Sequence, residues 1–227
     1  MLRTKKTPNK FSKIYGFIHI GVMNGWQEII EDEMRSIHNS GLFAATNTIF
    51  VGISGEKVLI PFGTKLAIHN PELEEGENET IKFLHQKSKE IEDANFWYIH
   101  TKGASKPVET DEAINAESWR KYMQFFVIEN WQDCIEALKT YDACGVEWAA
   151  SEWNQTYIFS GNFWWATSSY LSKIKDPLVD FDPYGEKRFK AEFFISLANP
   201  LVKTFHSIEP MTGNLYGKYI NQSQYQK

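Results

Sequence analysis

A histidine, a hydroxyl, an ammonium and a glycine follow one another at His100-Thr101-Lys102-Gly103, directly after the aromatic and β-branched run Phe96-Trp97-Tyr98-Ile99. The run suits a buried strand. A core strand that ends in polar groups delivers them to the carboxyl edge of its sheet, where open α/β sheets bind ligands. Lys102 and His100 favour anions, and the N–H groups around Gly103 can approach a phosphate closely because glycine lacks a Cβ. The same residues also fit a plain β-turn with a solvated lysine. Trp119-Arg120 reads either as a stacking and charge pair for a ligand or as a partly buried indole beside a solvent-facing guanidinium. Trp164 and Trp165 are adjacent in an extended segment and point to opposite faces, so at least one belongs to the core. His206, just past the last strand, is a metal ligand or a structural histidine.

The elements that position these residues alternate. Residues 14–20 and 48–53 read as strands, separated by a helix from Trp26 to a stop at Gly41, with Asn24 as its N-cap. Strand, helix and strand imply parallel pairing. Val58–Ile60 is a short strand or a loop. Leu66–His69 is a third strand, and an acidic loop (Glu72 to Glu79) leads into a helix whose first turn is Asn78-Glu79-Thr80. After the strand at 96–99, residues 104–117 read as a long loop and Glu117–Leu138 as one helix. Asp142–Trp148 and Thr156–Phe159 are strands, Ser160-Gly161-Asn162 a bend, and Phe163–Ala166 extended, with Thr167 capping a short helix. A helix near Glu186–Leu197 carries Glu192, and Leu201–Phe205 is the last strand. The expected fold is α/β, a mostly parallel Rossmann-type sheet flanked by helices. Residues 1–13 form a flexible basic tail, 14–207 a single domain with halves at 14–103 and 104–207, and 208–227 a loose polar tail.

The 227 residues carry a net charge of −5, which argues against a nucleic-acid partner. Arg3, Lys5, Lys6, Lys10 and Lys13 cluster at the start, so membrane contact is at most peripheral. Cys134 and Cys144 lack metal or redox spacing and read as buried hydrophobes. No leader-like or membrane-spanning run is visible, which points to a cytoplasmic protein.

The order of parts in the second half resembles the acceptor half of GT-A-fold glycosyltransferases, and the first half resembles their nucleotide-binding half. More narrowly, Tyr98-Ile99-His100-Thr101-Lys102-Gly103, Trp119-Arg120, Gly145-Val146-Glu147-Trp148, Ser160–Ala166 and the Glu79-Thr80 pair together resemble a family of small bacterial and large-DNA-virus proteins described as glycosyltransferases. The resemblance spans roughly residues 14–207. It implies a nucleotide-sugar donor bound by Gly21, Thr80, His100, Thr101, Lys102 and Gly103, with the base near Ile20–Met23. It also implies a glycan or glycoconjugate acceptor held by Trp119, Arg120, Gly161, Asn162 and Trp164. Many GT-A enzymes hold Mn²⁺ or Mg²⁺ with an Asp-x-Asp where this chain has His100-Thr101-Lys102, so no cofactor is certain. Lys102, helped by His100, would then stabilise the leaving diphosphate. Glu192 is the candidate base by position, although it also reads as a helix acid favoured by the macrodipole. Two other classes compete. A nucleotidyltransferase would carry a basic loop after strand one, where this chain has Gly21-Val22-Met23-Asn24-Gly25. A non-catalytic carbohydrate-binding domain would exploit the tryptophans.

Overall fold

A computed structural model describes residues 13–150, 156–178, 187–206 and 217–226. In chain order they form β1 (Lys13–Gly21), α1 (Trp26–Asn39), α2 (Leu42–Ala45), β2 (Thr48–Ser54), β3 (Lys65–Asn70), α3 (Asn78–Glu90) and β4 (Ala94–His100). There follow α4 (Asp111–Gln124), α5 (Trp131–Leu138), β5 (Ala143–Val146), β6 (Trp148–Ala150), β7 (Tyr157–Phe159), β8 (Trp164–Thr167), α6 (Ser168–Leu171), α7 (Lys190–Phe193) and β9 (Val202–Phe205). Seven strands make one sheet in the order β3-β2-β1-β4-β8-β5-β9, and β6 pairs with β7 apart from it. Only β8 runs against the others in the main sheet. The expectation of a mostly parallel α/β sheet flanked by helices holds.

Strand alternation divides the core into two layers. Trp97, Ile99 and Trp165 belong to one cluster, with residues of α1, α4 and α5; Phe96, Tyr98 and Trp164 belong to the other, with residues of α3, α6 and α7. Both Trp164 and Trp165 are fully buried, one in each layer. Trp97 has room because β1 offers Gly16 beside it, where a Cβ would lie 2.1 Å from the indole Cζ2. Cys134 and Cys144 are buried free thiols, as expected.

Several boundaries differ from the sequence reading. The helix after β1 starts from Gly25 in the left-handed region, with no side-chain cap, so Asn24 does not cap it. Val58–Ile60 is a loop, one of the two readings the sequence left open. The supposed loop at 104–117 is half helix: Thr110 caps α4 by accepting from the Ala113 N–H, and the helix runs from Asp111. The polar sequence Asp111–Glu117 hides its period, although Thr110 followed by acids is a start signal. A π-helical turn at Phe125–Glu129 separates α4 from α5, and the segment around Glu192 is a string of short 3₁₀ and α turns. After Val146 the chain leaves the main sheet at Glu147, whose φ is +48°. Residues 217–226 are not loose. Ile220 and Tyr225 are buried, the Ile220 N–H donates to Ser118 Oγ (3.0 Å), and the Tyr225 ring meets Tyr122 and Phe125. Among the described residues no helix is long and apolar enough to cross a membrane.

Candidate functional site

At the carboxyl edge of the sheet, Glu77, the residue before α3, turns its side chain toward β4 and the bend before β8. Its Oε2 accepts from Tyr98 Oη (2.6 Å) and from Asn162 Nδ2 (2.8 Å). Its Oε1 lies 3.5 Å from His100 Nδ1, and both side chains keep 13% exposure. The cluster is therefore enclosed but reachable. Asn162 is fixed in turn, accepting from Trp164 Nε1 (2.9 Å). The bend itself requires glycine. Gly161 has φ +85°, and a Cβ there would sit 2.4 Å from Met123 Sδ.

The electrostatics follow from this geometry. Burial pushes the Glu77 carboxyl up, but His100, His19, the Tyr98 hydroxyl and Lys102 outweigh it and hold the pKa below the ordinary carboxylate value. Burial, then Glu77 and then Glu192 raise the Tyr98 phenol well above its usual range. For His100, burial lowers the pKa, Glu77 opposes and Lys102 lowers it further, with a net shift downward. Its ring is thus neutral at pH 7. His100 Nε2 faces the Gly161 carbonyl at 3.0 Å, and a carbonyl only accepts, so the proton is assigned to Nε2. Nδ1 is then an acceptor facing Glu77 Oε1, another acceptor. That arrangement suits a ligand presenting two hydroxyl donors.

Lys102 is buried. Its Nζ rests 4.1 Å above the centroid of the Trp119 ring, and its carbonyl accepts from Arg120 (3.0 Å). The Trp119 face is therefore covered by the ammonium. Gly103 follows at φ +96°. Glu192 on α7 is half-buried, and its charge reaches Tyr98. The Lys102 charge thus lowers the Glu77 pKa, and the Glu192 charge, followed by that of Glu33, raises the Tyr98 pKa.

Other expected site residues fasten the rim. His19 is held between Thr80 Oγ1 (2.8 Å) and Ser54 Oγ (3.1 Å), and Thr101 Oγ1 accepts from the Gly21 N–H (3.0 Å). Thr80, Thr101 and Gly21 are so engaged with each other's elements rather than presented to a ligand. Thr80 also presses on β2, where a Cβ at Gly52 would lie 1.9 Å from its Oγ1. Trp164 is corrected outright as an acceptor platform. Its ring is fully buried and stacked on Tyr98 at 5.3 Å between centroids. His100 is corrected as a helper cation, because it is neutral. Glu79 points away and pairs with Lys82 (2.6 Å), so the acid that enters the site is Glu77. His206 is exposed, and among the described residues no three His, Cys, Asp or Glu side chains gather as a metal site.

Sequence reasoning missed Glu77, Tyr98 and His19. Glu77 lies in an acidic run that reads as a solvated loop, and only its place just before a helix start hints otherwise. It also missed Glu33 of α1, fully buried, with neither carboxyl oxygen bonded among the described residues. Burial raises the Glu33 pKa well above the ordinary carboxylate value, against the pull of Arg120.

His19 gives the rim a pH dependence. Burial, partly offset by Glu77 and reinforced by His100, lowers its pKa from 6.5 to about 4. The unfolded chain takes up this proton below 6.5, whereas the folded chain resists until about 4. The contribution of His19 is therefore complete above pH 6.5 and is lost as pH falls through that window, by up to about 1.4 kcal/mol per pH unit. Melting temperatures between pH 7 and 4 should fall less steeply in His19→Gln than in the wild type. Parallel curves would exclude His19 as the source.

The chain belongs to a family described as "Domain of unknown function (DUF8361)", whose model matches residues 26–211. No curated protein matches it. Among solved structures it is similar to the bifunctional IspDF from Campylobacter jejuni, at 9% identity and a TM-score of 0.44, over 86% of this chain and 49% of that one. The chain thus spans about half the length of that protein.

Proposed function

We propose that the chain is a GT-A-type glycosyltransferase that moves a sugar from a nucleotide-sugar donor to a hydroxyl of a glycan or glycoconjugate acceptor in the cytoplasm. The observation that carries this reading is the Glu77, Tyr98, His100 and Asn162 cluster at the carboxyl edge, where the charges of Lys102, from the first half of the chain, and Glu192, from the second, are both felt. The bond between the anomeric carbon and the diphosphate oxygen breaks, and its electron pair leaves on the diphosphate. The Lys102 ammonium offsets the charge that develops there. The acceptor hydroxyl gives its proton to Glu192 as it attacks. Glu77 Oε1 and His100 Nδ1 accept hydrogen bonds from sugar hydroxyls and hold the ring in line. This revises the sequence expectation for His100, which orients rather than neutralises. A carbohydrate-binding domain built on the tryptophans is less well supported, since Trp97, Trp164 and Trp165 are fully buried and Trp119 lies under Lys102.

The test is thermal stabilisation by UDP, GDP and CDP, followed by release of nucleotide from the matching sugar nucleotides. Stabilisation by one nucleotide together with release supports the reading. Failure of all three to stabilise the protein or to be released overturns it.

A further inference from the structure

Among the described residues, five that are not glycine hold a positive φ: Asp93, Glu109, Glu147, Asn162 and Asn199. Asp93, Glu109 and Asn199 are exposed, whereas Glu147 and Asn162 keep only 5% and 2% exposure. The two buried ones meet. The Ser160 N–H, at the start of the bend that carries Asn162, donates to the Glu147 carbonyl (3.2 Å). Asparagine is enriched in the left-handed region; a long side chain such as glutamate is uncommon there. Such a conformation persists only where the surroundings over-determine it, and it gathers at functional sites.

Glu147 is held from three sides. Its N–H donates to the Phe205 carbonyl of β9 (3.0 Å), its carbonyl accepts from the bend, and its Oε1 accepts from Tyr122 Oη of α4. Met123 and Trp119, on the same helix, pack on the bend itself, since a Cβ at Gly161 would lie 2.4 Å from Met123 Sδ and 3.0 Å from Trp119 Cε2. β5 approaches it as closely: a Cβ at Gly145 would lie 2.8 Å from the Phe163 carbonyl oxygen. The bend in turn serves the Glu77 cluster. The Gly161 carbonyl faces His100 Nε2 and so selects its tautomer, and Asn162 Nδ2 donates to Glu77 Oε2. The backbone angle at Glu147 therefore governs where both ligand-facing acceptors, Glu77 Oε1 and His100 Nδ1, stand.

We propose that Glu147 is a positioning residue for that pair. The Tyr122–Glu147 hydrogen bond holds the left-handed turn at the end of β5, the turn holds Ser160, and Ser160 sets the Gly161 carbonyl and Asn162 in register with His100 and Glu77. The consequence for sugar binding rests on the proposed transfer reaction; the consequence for the His100 tautomer does not.

Nuclear magnetic resonance of the ¹⁵N-histidine-labelled chain at pH 7 reads the tautomer directly. His100 of the wild type should show a protonated Nε2 and a bare Nδ1. Glu147→Ala should average the two nitrogens toward a mixture of tautomers. Tyr122→Phe, which removes one hydroxyl and keeps the ring in the core, should do the same to a smaller extent. Glu147→Gln retains an oxygen that accepts from Tyr122 and should recover most of the wild-type spectrum. Calorimetry supplies the second readout. The affinity for the sugar nucleotide, taken relative to that for its nucleoside diphosphate, should fall about tenfold in Glu147→Ala and recover in Glu147→Gln. A wholly structural Glu147 would lower the melting temperature and leave both readouts alone. An unchanged tautomer in Glu147→Ala and Tyr122→Phe overturns the proposal, and so does an unchanged affinity ratio, or a glutamine variant no better than the alanine one. If the wild type binds no sugar nucleotide, the transfer reaction fails and the tautomer alone decides the role of Glu147.

Discussion

Lys102→Ala should lower nucleotide release from the productive sugar nucleotide by about 10²–10³-fold, the usual cost of removing one preorganised group aimed at a developing oxyanion. The expectation rests on where the ammonium is held. Its Nζ is clamped over the Trp119 ring and its carbonyl is pinned by Arg120, so the charge is positioned before any ligand arrives. His100 cannot replace it, being neutral and committed to the Gly161 carbonyl. Lys102→Arg keeps the charge but changes the reach, and should recover only part of the rate. Glu192→Gln should also abolish transfer while leaving nucleotide-induced stabilisation intact, because the base acts on the acceptor and not on the diphosphate. Chelation separates the mechanisms. Activity that persists in excess chelator and vanishes in Lys102→Ala supports the ammonium as the group that offsets the diphosphate. Activity lost on chelation and restored by Mn²⁺ assigns that task to a metal.

How much of this could be read before the fold was known differs by level. The strands announced themselves because β4 and β8 are continuous aromatic or β-branched runs, which have few alternatives. The rim was found for the same reason: polar residues at the end of such a strand have one place to go. What each rim residue does was not legible. Thr80, Thr101 and Gly21 have the right types for phosphate binding, but their partners lie 61 and 80 positions away, and only the folded register shows them bonded to protein. Trp164 looked like a platform because indoles stack on sugars, yet β8 lies inside the sheet between β4 and β5, where no face is open. Glu77 and Glu79 could not be told apart by composition. The first is drawn into the sheet edge by Tyr98 and Asn162, and the second faces water with Lys82. The docked C-terminal residues escaped notice because two apolar anchors, Ile220 and Tyr225, stand in a polar sequence without period.

Glu77 allows the site and the scaffold to be separated by one atom. Glu77→Ala removes the acceptor from Tyr98 Oη and Asn162 Nδ2 together, and should destabilise the fold by about 2–4 kcal/mol, since both donors are left enclosed. Glu77→Gln should behave differently. Both short hydrogen bonds fall on Oε2, so an amide oxygen placed there satisfies the same two donors. The amide nitrogen then occupies the Oε1 position, facing His100 Nδ1, which in the neutral ring is an acceptor. Every group is paired, so the melting temperature at pH 7 should change by only a few degrees. Nucleotide-sugar binding should nevertheless weaken at least about tenfold, because a donor now stands where the ligand's hydroxyl must donate. The acid limb supplies the control. The carboxyl of Glu77 is held below its ordinary value, so its contribution is complete above about pH 4.5 and disappears as pH falls through the lowered folded value. Glu77→Gln should flatten that limb, below the window in which His19 acts. Denaturant titrations of both variants and calorimetric binding of the sugar nucleotide decide the matter. A glutamine variant as unstable as the alanine one would refute the assigned His100 tautomer. A stable glutamine variant with undiminished binding would remove Glu77 from the ligand's contacts.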